Sequence, residues 1–110
     1  MTTLLALDIG GTKVGWGIVE AGDTYEVTER GSIPTDAMRG GADVAARICD
    51  LASSLVASHP QVAGVAVASA GVVDPSTGAI VSATGTMPGW GGTPLGALLQ
   101  EATGLKVRVL

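Results

Sequence analysis

Asp8-Ile9-Gly10-Gly11-Thr12-Lys13 follows directly on the apolar run Leu4-Leu5-Ala6-Leu7 and leads straight into Val14-Gly15-Trp16-Gly17-Ile18-Val19. A continuous apolar run predicts a buried strand covered on both faces, with Asp8 its last residue. The second run alternates: Val14, Trp16 and Ile18 share one face, Gly15 and Gly17 the other. Two strands joined by a bend with adjacent glycines make a β-hairpin. The bend carries a carboxylate, a hydroxyl and a cation.

Each of those groups suits an anionic ligand. Gly10 and Gly11 remove side chains from the bend, so backbone N–H groups can approach phosphate oxygens. Thr12 offers a hydroxyl donor and Lys13 a point charge. A carboxylate such as Asp8 is costly at the end of a buried strand unless it faces a cleft, a cation or a metal. Mg²⁺ is held by one or two carboxylates plus waters and phosphates, so Asp8 is the candidate carboxylate for such an ion. A P-loop has a longer spacing and opens a helix, and the dinucleotide fingerprint also opens a helix. Here a strand follows, because Gly15 and Gly17 disfavour a helix. The competing reading is a tight Gly-Gly turn with Asp8 as a solvated strand-end residue.

Outward from the bend, Glu20 to Asp23 reads as a turn and Tyr25 to Ser32 as a third, more polar strand near an edge. The first three strands form an antiparallel meander. Thr35 to Gly41 is a loop. A helix follows from about Asp43 to Ser58, with Val44, Ile48, Leu51, Leu55 and Val56 on one face and Arg47, Asp50 and Ser54 on the other. Asp43 is an N-cap or first-turn anion, and Pro60 ends the helix. Val62 to Ala68 is a central strand, parallel to the first through a right-handed crossover. Asp74 to Gly78 is a turn between short strands Gly71–Val73 and Ala79–Ser82. After a Gly- and Pro-rich loop, Gly85 to Gly92, Thr93-Pro94 predicts an N-cap and first helical position. Leu95, Leu98, Leu99 and Ala102 give that helix its apolar face, and Gly104 stops it. Lys106 to Leu110 begins another strand. The element order predicts an α/β fold with a mixed sheet: a three-strand meander, parallel strands and flanking helices.

Composition narrows the function. The chain has 110 residues, enough for one domain and one core. It is 46% hydrophobic but 3% aromatic with no Phe, so Val, Ala, Leu and Ile build that core around 17 glycines. Net charge is −4 and the six cations are scattered, which argues against nucleic-acid binding. The longest apolar stretch, Val62 to Val73, is too short to span a bilayer, and no secretion signal is recognisable. The lone Cys49 fits a reducing, cytoplasmic setting and packing within a helix. His59, before Pro60, reads as a surface residue, Asp74 as a turn residue, and Trp90 as a core residue rather than a cleft residue.

Three blocks of sequence together resemble the ROK family (repressors, open reading frames and kinases). The first is Leu5 to Val19. The second, Gly64 to Gly78, is similar to the family's strand-and-turn pattern G-[IV]-G-[IV]-x-x-x-G-x-V-[DN]-x-x-x-G. The third comprises Met87-Pro88-Gly89-Trp90, Pro94-Leu95 and Thr103 to Val107. The resemblance covers essentially the whole chain. It implies a ribonuclease H-like, actin-like ATPase domain in a two-domain sugar kinase, with residues 1–110 as the small N-terminal domain and the C-terminal domain absent. It implies that Asp8, Gly10, Gly11, Thr12 and Lys13 face the phosphates of ATP and its Mg²⁺, and that Gly71 lies against the sugar ring. Thr84 and Thr86 stand where the family contacts sugar hydroxyls. Many members have Asn just before the Pro-Gly-Trp segment. The Thr here is similar to the pattern of N-acylmannosamine kinases.

The resemblance also implies what lies elsewhere. The family's general base is the Asp of an Asn-Asp pair after the strand that begins at Lys106, and its zinc motif of one His and three Cys comes later still. Residues 1–110 are therefore expected to be a fragment, inactive alone. The partners expected are a small sugar, a nucleotide, the C-terminal domain and, in the full-length protein, a second copy; no nucleic acid or membrane is expected. The alternative is the sugar-sensing domain of a ROK transcriptional regulator. Such members carry a winged helix ahead of the first strand, and Met1 stands only seven residues before Asp8. A non-catalytic scaffold of actin-like fold is the third reading.

Overall fold

A computed structural model describes all residues, 1–110. Strands β1 (Thr2–Ile9), β2 (Lys13–Ala21) and β3 (Tyr25–Pro34) form the meander, followed by a 3₁₀ turn at Ala37–Arg39 and helix α1 (Gly41–Ser58). Strand β4 (Val62–Ser69), the hairpin β5 (Val72–Asp74) and β6 (Ala79–Ser82), helix α2 (Leu95–Thr103) and strand β7 (Lys106–Val109) complete the chain. The main sheet has the order β3-β2-β1-β4-β7. β1 is antiparallel to β2 and parallel to β4, and β4 is parallel to β7. The polar β3 is indeed an edge strand. Meander, parallel strands and two helices are the predicted α/β architecture.

One face of this sheet makes the core. Leu5, Leu7 and Ile9 of β1, Val14 and Ile18 of β2, Val65 and Val67 of β4 and Val109 of β7 are buried in a single cluster with Val44, Ala45, Ile48 and Ala52 of α1 and Leu95 and Leu99 of α2. The opposite face of the sheet is open, contrary to the expectation that β1 is covered on both sides. Asp8 and Ala68 are exposed there, and Leu4, Ala6 and Ala66 are half-buried. Both helices pack on the other face, so the apolar run in β1 is flanked on its outer side by Val19 opposite Leu4 and otherwise by the small residues Gly15, Gly17, Ala66 and Ala68. These line a cavity of about 620 Å³ together with Asp8 and Arg30.

Local chemistry corrects several expectations. Thr93 does not cap α2. Pro94 occupies the cap position, and Gly96 N–H in the first turn donates to Gly78 O at 2.9 Å instead. The hairpin turn thus supplies the acceptor that a side chain normally gives. Asp43 is a first-turn anion and not the cap, which is Gly40. Arg47 does not face solvent with Asp50. It turns inward, pairs with Asp43 at 2.8 Å and donates to the carbonyls of Pro34 and Thr35. His59 is half-buried; its ring contacts Glu29 Oε2 at 2.6 Å and Leu55 O at 2.8 Å, tying the end of α1 to β3. Cys49 is only half-buried, and burial, with Asp50 and Glu101 nearby, pushes its thiol up.

Candidate functional site

The bend between β1 and β2 lies at the C-terminal end of the parallel strands β1 and β4, the end at which open α/β sheets bind ligands. Ile9 pairs with Val14 as the last rung, leaving Gly10 to Lys13 to turn the chain. Gly10 N–H donates to Lys13 O at 3.0 Å. Gly11, Thr12 and Lys13 are exposed and Gly10 is half-buried. The N–H groups of Gly11 and Thr12 have no partner within the protein. Neither glycine has positive φ. A Cβ on Gly11 would meet nothing nearer than Thr86 Oγ1, at 3.9 Å. The fold therefore leaves room for a side chain at position 11, and the backbone there does not demand glycine. That weighs against a purely structural Gly-Gly turn.

The same proximity joins two stretches far apart in sequence. Thr86 stands over Gly11, and its hydroxyl lies 2.6 Å from that of Thr84. Both threonines are exposed. Gly71 borders this loop: its φ is 97°, and a Cβ on it would lie 2.7 Å from Ser82 O and 3.6 Å from Ala83 Cβ. The turn holding Gly71 is fastened to the end of β1, because Ala70 N–H donates to Ile9 O at 2.8 Å. Asp8 sits one rung earlier, opposite Gly15, on the open face of the sheet. The bend, the Thr84–Thr86 loop and Gly71 thus form one mouth, with Asp8 beside it.

Trp90 belongs to the core that supports this mouth. It is wholly buried, and its indole N–H donates to Ser69 Oγ and Ala70 O, each at 3.2 Å. Asp74 is a turn residue: Ser76 donates to its carboxylate through its hydroxyl and its N–H, which holds the carboxyl below its ordinary value. No group of three or more His, Cys, Asp or Glu side chains gathers as a metal cage. The donor set, the hydroxyls of Thr12, Thr84 and Thr86 at the mouth with the Asp8 carboxylate beside it, fits a Mg²⁺ ion delivered on phosphates rather than one held by protein alone.

Sequence reasoning missed Thr35. It is fully buried at the exit of β3, and its hydroxyl donates to Gly10 O at 2.7 Å. Its only signal in sequence was a hydroxyl in an otherwise unremarked Pro-Thr pair.

The model of the ROK family matches residues 4–110. The chain belongs to the ROK family. It is 31% identical over 102 residues to an uncharacterised protein of Clostridium perfringens, covering 92% of this chain and 33% of that protein. Among solved structures it is similar to the inorganic polyphosphate/ATP-glucomannokinase of an Arthrobacter strain, with 28% identity, 100% of this chain, 44% of that one and a TM-score of 0.73. It also shares the fold of a ROK family glucokinase from Streptomyces griseus in complex with glucose and AMPPNP (24% identity, 97% of this chain, 32% of that one, TM-score 0.79). A ROK family transcriptional regulator has the fold as well, at 23% identity over 97% of this chain and 27% of that one, with a TM-score of 0.79. This ROK chain spans about a third of the length of the curated relative it matches. None of its helices is long and apolar enough to cross a membrane.

Proposed function

We propose that residues 1–110 are the phosphate-facing N-terminal domain of an ATP-dependent sugar kinase that moves the γ-phosphate to a hexose or N-acylhexosamine hydroxyl. The observation that carries this reading is the meeting of Gly11 with Thr86: a bend with free N–H groups and a pair of hydroxyls open onto one mouth. The glucokinase that binds glucose with AMPPNP and the glucomannokinase that uses ATP support it.

In this reading the N–H groups of Gly11 and Thr12 and the ammonium of Lys13 hold phosphate oxygens. Thr84 and Thr86 hydrogen-bond sugar hydroxyls, and Gly71 lets the sugar ring approach the backbone. Asp8 faces the Mg²⁺, which, when bound, neutralises charge on the phosphates. Phosphoryl transfer depends mainly on such positioning and electrostatics. The base that takes the sugar proton comes from the remainder of the complete protein, so residues 1–110 bind without turning over. The free Cys49 fits a reducing compartment such as the cytoplasm.

The test is sugar-dependent ADP release by the complete protein, assayed across glucose, mannose and N-acetylmannosamine. Release with at least one sugar, lost in Asp8→Asn, is the expected result. Sugar binding with no ATP consumption would favour the regulator reading instead.

A further inference from the structure

The carbonyls on either side of Gly11's own are both taken by one buried residue. Thr35 Oγ1 donates to Gly10 O at 2.7 Å, and Thr35 N–H donates to Thr12 O at 3.0 Å. The Gly10 carbonyl shares its peptide plane with the N–H of Gly11. In a trans peptide the two point in opposite directions, and this chain has no cis bonds. Holding Gly10 O toward Thr35 therefore turns the Gly11 N–H away from Thr35. That N–H has no partner in the protein.

Thr35 is in turn fixed from α1. The guanidinium of Arg47 donates to the carbonyls of Thr35 and Pro34, and Asp43 holds it from behind at 2.8 Å. Asp43 also pairs with Arg39, at 3.2 Å. A relay thus runs from the first turns of α1, through Arg47 and Thr35, to the orientation of one peptide in the bend.

We infer that Thr35 is the positioning residue of the bend: its buried hydroxyl locks the Gly10–Gly11 peptide with its N–H aimed outward as an anion donor. Thr35 touches no ligand itself. A preset donor costs no reorganisation when a phosphate arrives, whereas a peptide free to rotate must be ordered at that moment. Glycine at positions 10 and 11 makes the lock necessary, since these are the residues with most conformational freedom to lose.

The kinetic arm of the test rests on the kinase reading; the dynamic arm does not. In the ligand-free chain, ¹⁵N relaxation of the wild type should give Gly11 an order parameter near the rigid value of about 0.85, and Thr35→Val should lower it toward about 0.6. Thr35→Ser, which keeps the hydroxyl, should restore it. In the complete protein, Thr35→Val should raise KM for ATP about tenfold, the worth of one hydrogen bond, with KM for sugar unchanged and Thr35→Ser near wild type. A Gly11 amide already mobile in the wild type would overturn the inference whether or not Thr35→Val folds. So would a Thr35→Val bend as rigid as wild type. If the dynamic arm succeeds and no sugar supports ATP use, the kinase reading fails and the lock stands.

Discussion

Gly41, in the first turn of α1, packs backbone to backbone against Gly89 in the loop between the two threonines of the mouth and α2. A Cβ at position 41 would run into Gly89 O and the Trp90 N–H nitrogen. The contact sets how far the loop carrying Thr84 and Thr86 stands from the helix that carries Arg47. Gly41→Ala should therefore force the loop outward, destabilising the chain by about 1–3 kcal/mol as overpacking does. Gly22→Ala is the control. Nothing lies within 4 Å of a Cβ there, and its midpoint in urea should match wild type.

Gly71→Ala should be costly for a second reason. The residue has φ of 97°, and the added Cβ would lie 2.7 Å from Ser82 O. Strain of about 1–3 kcal/mol is expected from the backbone alone. Urea unfolding measures it, and amide shifts in Ser82 to Thr86 should report the displaced strand end.

Gly11→Ala should separate fold from function. The position has ordinary φ and room for a methyl group. Stability should stay within about 0.5 kcal/mol of wild type or rise slightly, since alanine restricts the unfolded chain. If phosphate approaches the bend as proposed, binding of Mg·AMPPNP should nevertheless weaken, because the methyl group would stand in its way. A variant as tight as wild type would return Gly11 to a mere turn residue.

The His59–Glu29 contact gives stability a pH dependence. The hydrogen bond that the ring donates to the Glu29 carboxylate, then the one to the Leu55 carbonyl, raise the imidazole pKa above its ordinary value. A raised folded-state value means that the contribution is fully present below the unfolded value of about 6.5 and disappears as pH rises through the folded one. The stability difference between wild type and Glu29→Gln should be larger at pH 6 than at pH 9. Urea midpoints at the two pH values check it, and an equal difference would show that the pair does not titrate as described.

Arg47→Met keeps the aliphatic stem but leaves the carbonyls of Pro34 and Thr35 without their donor. A loss of about 1–3 kcal/mol is expected, and thermal unfolding measures it. Arg47→Lys should recover little, because one ammonium cannot reproduce the fork that spans two carbonyls and Asp43.

Most of the architecture could be read from local pattern. The period-2 alternation at Val14, Trp16 and Ile18, the β-branched run at Val62 and the helical spacing of Val44, Ile48 and Leu51 are signals carried within single elements. The bend itself was legible because its chemistry is contiguous. What escaped depends on contacts between distant residues. Thr35 acquires its role only when β3 runs back along β2 and its end meets the bend, 25 residues from Gly10. Gly96 finds its acceptor in Gly78, across the hairpin, so the capping signal at Thr93 misled. Arg47 looked like a solvent-facing cation because helical periodicity does not reveal two carbonyls waiting beside it. The open face beyond Asp8 was likewise invisible, since an apolar strand reads the same whether its outer neighbours are helices or glycines.

In the proposed function, the bend and the threonine loop together receive a nucleotide phosphate. Amide chemical-shift mapping of ¹⁵N-labelled residues 1–110, titrated with Mg·AMPPNP, tests it most directly. The perturbed amides should cluster at Gly10 to Lys13 and Thr84 to Thr86, and Lys13→Met should abolish the shifts. Shifts gathered instead in the groove between α1 and α2, or unchanged by Lys13→Met, would contradict it.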